Sequence, residues 1–150
     1  MSSGEKPLNP PTQAGEAEAG DGKGGGHVQA NAARSVVCVV TNETNMDLSR
    51  NSESLAHGIW STNMYPPEII PAGTTAQFEA ESQGFMTGCE GQVNYEVDGA
   101  TTVTFYFDNP YIGDNGYKTW MDGPDSDSYN TQYSGGSGNN ATVTYRIKQN

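Results

Sequence analysis

Apolar and polar residues alternate with a period of two in three segments of the chain, residues 92–97, 100–108 and 142–148. Successive side chains of a β-strand point to opposite faces of its sheet. The alternation therefore predicts three strands, each with one buried and one exposed face. In the first of these segments, Val93 and Tyr95 would lie on the buried face.

The run Val36–Val40 (VVCVV) is apolar at every position, which predicts a strand buried on both faces. Asp98 and Gly99 lie between two of the alternating segments. Asp-Gly at such a place is typical of a two-residue hairpin with a type I′ turn, which needs positive φ at both central residues. We therefore expect the strands 92–97 and 100–108 to pair as a hairpin.

Weaker strand patterns occur elsewhere and are separated by turn residues such as Pro66-Pro67. They cover residues 46–50, 55–60, 68–70, 75–82, 116–121 and 128–134. Many short strands with frequent turns are typical of an all-β sandwich or barrel. The pattern as a whole predicts an antiparallel β-sandwich.

Residues 1–34 differ in composition from the rest of the chain. They include 7 of the 19 glycines and 3 of the 8 prolines, no aromatic residue, and only Leu8 and Val28 as large aliphatic residues. Such a segment buries too little apolar surface to offset the entropy lost on ordering. We expect a disordered tail over residues 1–34 and one folded domain over residues 35–150.

The chain carries 18 acidic and 7 basic residues, a formal net charge of −11. Nucleic acids and anionic lipids are bound through positively charged surfaces. The charge therefore argues against a nucleic-acid partner and favours a neutral or zwitterionic lipid if a membrane is bound. The sequence has no run of the ~20 apolar residues that span a bilayer and no recognisable secretory signal, so we expect synthesis in the cytoplasm.

Neither an active site nor a metal site is marked by a motif. His27 lies in the predicted tail and His57 in a predicted strand, and no nucleophile motif such as GxSxG accompanies them. Asp122, Asp125 and Asp127 could offer oxygen ligands to calcium, but their spacing differs from that of an EF-hand loop. We predict a protein that is not an enzyme and that has no metal site and no cofactor.

Two cysteines, Cys38 and Cys89, stand outside any CxxC pair, which argues against zinc. They could be free thiols, or they could form a disulfide within or between chains after oxidation. Cys89 lies in the glycine-rich segment Gly88–Gly91, where we expect an exposed thiol. Both cysteines are therefore candidate cross-linking residues.

Four aromatic residues lie next to predicted turns: Trp60, Tyr65, Tyr111 and Trp120. An aromatic ring with a polar tip suits the headgroup layer of a membrane. Rings at such positions can equally close the core of a sandwich. We take these four residues as candidate lipid-binding residues and keep the core role open for each.

Three segments, in order along the chain, resemble the aegerolysin family. They are Phe78–Gly91 (FEAESQGFMTGCEG), Phe105–Tyr111 (FYFDNPY) and Gly135–Asn139 (GGSGN). The likeness is greatest to the small component of the binary insecticidal crystal toxins and covers about residues 34–147. Cys38 and Cys89 replace the Ile and Thr that this resemblance leads us to expect.

The resemblance implies a compact antiparallel β-sandwich that binds membranes rich in particular sphingolipids or sterols. It also implies pore formation together with a larger partner protein. Some relatives accumulate as intracellular crystals, which implies an alternative function through self-association. In that alternative the chain would form a storage or matrix inclusion, or a sedimenting, gravity-sensing crystal in a vacuole, cross-linked through Cys38 and Cys89.

Overall fold

A computed structural model describes residues 32–150. Most of the predicted tail, including His27, lies outside the described residues. The strands are β1 (Ser35–Glu43), β2 (Leu48–His57), β3 (Ile59–Trp60), β4 (Ile69–Ile70), β5 (Thr75–Glu81), β6 (Cys89–Asp98), β7 (Thr101–Asn109), β8 (Gly116–Asp122), β9 (Tyr129–Gly135) and β10 (Asn140–Gln149). One 3₁₀ turn, Ser126–Ser128, precedes β9. In the described part of the chain, no helix is long and apolar enough to cross a membrane.

The strands form two five-stranded sheets, sheet A with the order β9-β10-β1-β5-β3 and sheet B with the order β4-β2-β6-β7-β8. Their apolar faces share one core, which confirms the predicted all-β sandwich. One pairing differs from the antiparallel expectation, because β1 and β10 run parallel with Ser35 opposite Asn140. The last strand enters sheet A beside the first, and both strands begin at the same end of the sandwich.

The alternating segments bury the faces that their pattern predicts. Val93, Tyr95 and Val97 of β6 are buried, and the apolar positions of β7 and β10 are buried in the same way. β1 differs from its prediction, because Val37 and Val39 are only half-buried while the residues between and beside them are buried. A sandwich of two layers leaves the outer face of each sheet towards solvent, so β1 is covered fully on one face only.

The predicted strands 46–50 and 55–60 belong largely to one strand, β2. Its register against β6 shifts at two places. A bulge sets two residues of one strand against one residue of the other, and this interrupts the alternation of side chains. The continuous strand was therefore not visible in the hydrophobic pattern.

The hairpin of β6 and β7 is confirmed, but its turn lies one residue later than predicted, at Gly99 and Ala100. Gly99 has a φ of 51°, whereas Ala100 has no positive φ. Positive φ at the first central residue alone matches a type II′ turn and not the predicted type I′ turn. A register shift between Glu96 and Asp98 accounts for the displacement.

Three loops meet at one end of the sandwich, which we call the loop end. They are residues 82–88, 110–115 and 136–139. Asn109 joins the two sheets at this end, because its side-chain amide donates to the carbonyls of Ser35 at 3.1 Å and Asn139 at 2.9 Å. This bridge fixes the position of the strand ends from which the loops emerge.

Candidate functional site

Loop 82–88 carries two exposed apolar side chains at its turn. Phe85 is 89% exposed and Met86 is 53% exposed. Met86 has a φ of 59°, which is uncommon for a residue other than glycine. The Thr87 hydroxyl donates to the carbonyl of Gln83 at 2.8 Å and so stabilises the turn. The loop therefore holds a phenylalanine and a methionine in water in a defined and strained backbone conformation.

Loop 110–115 adds a third exposed apolar side chain at the same end. Ile112 is 83% exposed. Together, Phe85, Met86 and Ile112 are called the apolar tip below. Large apolar side chains that are exposed at one end of a protein often mark an interaction site.

Gly88 brings the two loops of the apolar tip into contact. A Cβ atom at this position would lie 2.5 Å from the carbonyl oxygen of Asn109 and 2.8 Å from Cα of Pro110. Both atoms belong to the backbone, so no side-chain movement could make room. This close approach explains why glycine stands between the exposed turn and β6.

Arg34 links the same two loops from the start of β1. Its backbone N–H donates to Ser82 Oγ at 3.1 Å, and its guanidinium donates to the carbonyls of Pro110 at 3.2 Å and Tyr111 at 2.7 Å. The guanidinium also lies 4.5 Å from the centre of the Tyr111 ring. Arg34, which composition assigned to the tail, thus takes part in the fold. Tyr111, one of the predicted lipid-binding residues, adjoins the apolar tip.

Trp60 lies on the edge strand β3 of sheet A, opposite Ala80 of β5, and Tyr65 follows where the chain crosses along the side of the sandwich to β4 of sheet B. The half-buried Trp60 ring packs edge-on against Phe78 at 5.8 Å and Phe107 at 6.0 Å between ring centres. Its Nε1 donates to one oxygen of Glu53 at 2.8 Å, and the Tyr65 hydroxyl donates to the other at 3.0 Å. Burial, followed by the charge of Glu53, raises the pKa of Tyr65 to about 12. These contacts make Trp60 a cover of the core on this side.

Trp120 lies within β8 and not beside a turn as predicted. It is 37% exposed, and its Nε1 donates to Asp122 Oδ2 at 3.0 Å. β8 is an edge strand of sheet B, and Trp120 stands opposite Thr104. Trp120 thus lies on sheet B, whereas Trp60 lies on sheet A.

His57 lies at the end of β2 beside two carboxylates. Its Nε2 is 3.9 Å from Glu90 Oε1, and Glu90 stands opposite Asp108 across β6 and β7. Burial, followed by the charge of Glu90, raises the pKa of Asp108, while His57 lowers it. The Tyr106 hydroxyl donates to Glu90. These contacts place His57 in a surface cluster of charged and hydrogen-bonded groups.

Cys38 and Cys89 are free thiols inside the core. The expected exposure of Cys89 is wrong, because its side chain lies on the core face of β6 with Sγ 3.8 Å from the carbonyl of Ala80. Burial is the largest cause that raises the pKa of both thiols, that of Cys89 to about 12. Disulfide formation needs a thiolate that is accessible, so a cross-link would require local opening of the sandwich.

The acidic residues near the 3₁₀ turn interact with neighbouring side chains. The Tyr129 hydroxyl donates to Asp98 Oδ2 at 2.6 Å. The charge of Asp98 is the first cause that raises the pKa of Asp125. Among residues 32–150, no group of three or more His, Cys, Asp and Glu side chains could hold a metal ion.

The residues of the apolar tip were not among the candidates chosen from the sequence. Phe85 and Met86 appeared there only as part of the segment Phe78–Gly91, and Ile112 drew no attention. A signal was available, because Phe85 and Ile112 each lie next to a glycine and Met86 lies between two predicted strands, where a large apolar side chain has no core to enter. None of the three has an aromatic ring with a polar tip, the feature that marked the other candidates.

A comparison with protein families agrees with this fold and with the segments noted above. The family model of the aegerolysins matches residues 34–150. The chain belongs to the aegerolysin family. This aegerolysin is also 44% identical, over 66 residues, to an uncharacterized protein of Dictyostelium discoideum. That match covers 44% of this chain but only 6% of the relative, so the aegerolysin spans a small part of the relative's length.

Two solved structures share the fold of this aegerolysin. The lipid binding protein Nakanori matches with a TM-score of 0.71 at 16% identity, over 79% of this chain and 73% of Nakanori. The RahU protein, solved in complex with a TRIS molecule, matches with a TM-score of 0.64 at 17% identity, over 79% of this chain and 97% of RahU. At these identities the likeness shows the sandwich architecture alone.

Proposed function

We propose that this aegerolysin is a non-enzymatic protein that binds a lipid bilayer with its loop end. The apolar tip carries the proposal, because Phe85 and Ile112 are 89% and 83% exposed on loops that touch each other. Transfer of such a side chain from water to an apolar phase contributes about 1.5–3 kcal/mol. Family membership and the description of Nakanori as a lipid binding protein support the same function.

The charge of the chain narrows the class of lipid. A net charge of −11 repels an anionic bilayer. At the loop end, the Arg34 guanidinium is already engaged by the carbonyls of Pro110 and Tyr111. We therefore propose a neutral or zwitterionic membrane, and the family resemblance favours one rich in sphingolipid or sterol.

The predicted aromatic residues have different places in this proposal. Tyr111 adjoins the apolar tip, and we propose that its ring lies at the level of the headgroups. Trp60 and Tyr65 share Glu53 at the side of the sandwich, and Trp120 lies on an edge strand. A lipid contact of these three residues stays a prediction, and their contacts favour structural roles.

A larger partner protein belongs to the same proposal. Three exposed apolar side chains anchor a domain at a membrane surface but do not span the bilayer, whose apolar core is about 30 Å thick. We propose that this aegerolysin binds the membrane surface and that a partner protein forms the pore across it. Dye should then leave vesicles only when such a partner is added, and release by the aegerolysin alone would contradict this division of work.

Co-sedimentation with vesicles tests the lipid-binding function. The vesicles would contain phosphatidylcholine, sphingomyelin and cholesterol, and the variant would be Phe85→Ala/Ile112→Ala. We expect at least about tenfold weaker binding, since the variant loses two apolar side chains that would be buried in the bilayer. The matched control is Ile69→Ala, which removes an apolar side chain that is 43% exposed on β4, away from the loop end. Equal binding by wild type and the double variant would refute the assignment.

Self-assembly into an intracellular crystal is the second candidate function. Lys118 and Lys148 are the only lysines of residues 35–150, so a lattice would immobilise few long cationic side chains. We propose an inclusion in the cytoplasm or a vacuole that is cross-linked through Cys38 and Cys89, which requires local opening of the sandwich because both thiols are buried. Sedimentation velocity with and without a thiol reductant tests it. Large particles that dissolve on reduction would support the cross-link, and unchanged assembly of Cys38→Ser/Cys89→Ser would refute it.

A further inference from the structure

A cleft opens at the loop end between loop 110–115 and the connection from β9 to β10. Its volume is about 480 Å³, and it is lined by Gly113–Asn115, Tyr117, Tyr133 and residues 135–139. The cleft is shallow and widely open to solvent. Neither the apolar tip nor the core accounts for it.

An exposed aromatic ring forms one wall of the cleft. Tyr133 is 47% exposed, and its ring centre lies 5.7 Å from that of the buried Tyr117. One side of the Tyr133 ring is thus supported by protein, while much of the residue faces solvent. Such a ring offers an apolar face and a hydroxyl group to a ligand that is itself amphipathic.

The other walls supply hydrogen-bonding groups without a cation. Asp114, Ser137 and Asn139 are exposed side chains of the lining, and the lining contains neither lysine nor arginine nor histidine. Sites for phosphate or carboxylate use such cations. A carboxylate, an amide and a hydroxyl instead match a ligand whose hydroxyl groups both donate and accept hydrogen bonds.

The cleft is held in shape before any ligand binds. Asn115 Nδ2 donates to the carbonyls of Gly136 at 2.8 Å and Gly138 at 2.9 Å, and the Tyr117 hydroxyl donates to Gly136 at 2.8 Å. A Cβ on Gly136, whose φ is 94°, would lie 2.3 Å from the Tyr117 ring. A preformed wall lowers the entropy lost on binding.

The cleft lies directly beside the apolar tip, the part of the protein that is proposed to enter the bilayer. Ile112 of the apolar tip directly precedes Gly113, the first lining residue. When the apolar tip enters a bilayer, the cleft therefore comes to lie in the headgroup layer. We propose that the cleft binds a neutral hexose and that this hexose is the headgroup of a membrane glycolipid. The second part rests on the proposed membrane binding, whereas the first does not.

Vesicle co-sedimentation distinguishes the sugar from the lipid. We expect stronger binding to phosphatidylcholine vesicles that contain monohexosylceramide than to vesicles that contain ceramide without sugar. Tyr133→Ser should abolish this difference and leave binding to phosphatidylcholine alone unchanged. Tyr133→Phe should retain most of it, because the ring is kept. Equal binding to the two kinds of vesicle would overturn the glycolipid part of the proposal, and an unaffected Tyr133→Ser variant would overturn the role of the cleft in that preference.

Two further measurements distinguish a failure of the hexose site from a failure of membrane binding. Asp114→Ala, a change in an exposed loop, should weaken the preference for hexosylceramide, and Ile69→Ser should not. Circular dichroism would verify that each variant is folded. Titration with free glucose and galactose, followed by nuclear magnetic resonance, tests the cleft without a membrane. Shifts at the lining residues without any preference for hexosylceramide would support the hexose site and refute the glycolipid as its source. If the protein binds no vesicle at all, the proposed lipid-binding function fails. The titration then still shows whether the cleft binds a hexose.

Discussion

At the scale of single residues, local contacts separate two aromatic side chains that look alike in the sequence. Trp60 and Phe85 both lie near turns. The Trp60 ring packs against Phe78 and Phe107, whereas Phe85 is almost fully exposed. The first therefore stabilises the fold, and the second is available for binding.

Removal of each of these two side chains should affect stability to a different extent. We expect Trp60→Ala to lower the free energy of unfolding by about 2–4 kcal/mol, because two ring contacts and a hydrogen bond to Glu53 are lost. Phe85→Ala should change it by less than about 0.5 kcal/mol. Urea unfolding followed by circular dichroism measures both. A stability of Trp60→Ala equal to that of wild type would contradict its assignment to the core.

Gly88 offers a second test at this scale. A methyl group there would meet backbone atoms of Asn109 and Pro110, so we expect Gly88→Ala to lower the free energy of unfolding by about 1–3 kcal/mol. Gly116→Ala is the matched control, because a Cβ at that position has no atom within 4 Å. Thermal unfolding of both variants measures the difference. Similar melting temperatures would show that the two loops can separate without loss.

At the scale of elements, strands β6 and β7 carry like charges opposite each other. Glu90 and Asp108 form a direct cross-strand pair on the outer face of sheet B. Partial burial, followed by the charge of Glu90, raises the pKa of Asp108. Like charges directly opposite each other destabilise a sheet. The nearby His57 acts in the opposite direction and lowers the pKa of Asp108.

Asp108→Asn should therefore stabilise the hairpin at pH 7. We expect a gain of a few tenths of a kcal/mol, the usual size for a cross-strand pair of like charges. Glu68→Gln, a change of an exposed acid outside these strands, should have no comparable effect. Urea unfolding of the three proteins provides the comparison. A less stable Asp108→Asn would show that its carboxylate makes a favourable contact that outweighs the repulsion.

At the scale of the whole molecule, acidity is the dominant property. The net charge is −11, and the pKa values of Glu79 and Asp108 are both raised, chiefly by burial. An acid with a raised pKa in the folded state binds its proton more tightly there than in the unfolded chain. Its contribution to stability is complete below the unfolded pKa of about 4 and is lost as the pH rises through the folded pKa.

Moderate acid should accordingly not weaken this protein. We expect a melting temperature at pH 5 that equals or exceeds the value at pH 7, because the raised pKa values of Glu79 and Asp108 favour proton uptake by the folded state as the pH falls, and net repulsion becomes smaller. Differential scanning calorimetry at both pH values, at constant ionic strength, measures it. A lower melting temperature at pH 5 would mean that other carboxylates, bound to hydrogen-bond donors in the fold, dominate.

The sequence by itself determined the strands and the class of fold, because a period of two in apolar residues is a local property of the backbone. It predicted the buried faces of β6, β7 and β10 and, through three ordered segments, the family. It did not reveal the continuity of β2, since bulges interrupt the period. It also left the parallel pairing of β1 and β10 unseen, since that pairing joins residues far apart in the chain.

Only the tertiary structure decided which residues lie on a common surface. The apolar tip and the cleft arise where three loops meet, and Gly88, Arg34 and Asn109 hold them there through contacts between distant segments. The same packing buries Cys89, although its glycine-rich neighbours suggested an exposed thiol. Periodicity records which face of a strand is covered, whereas exposure in a loop depends on which other segments arrive beside it.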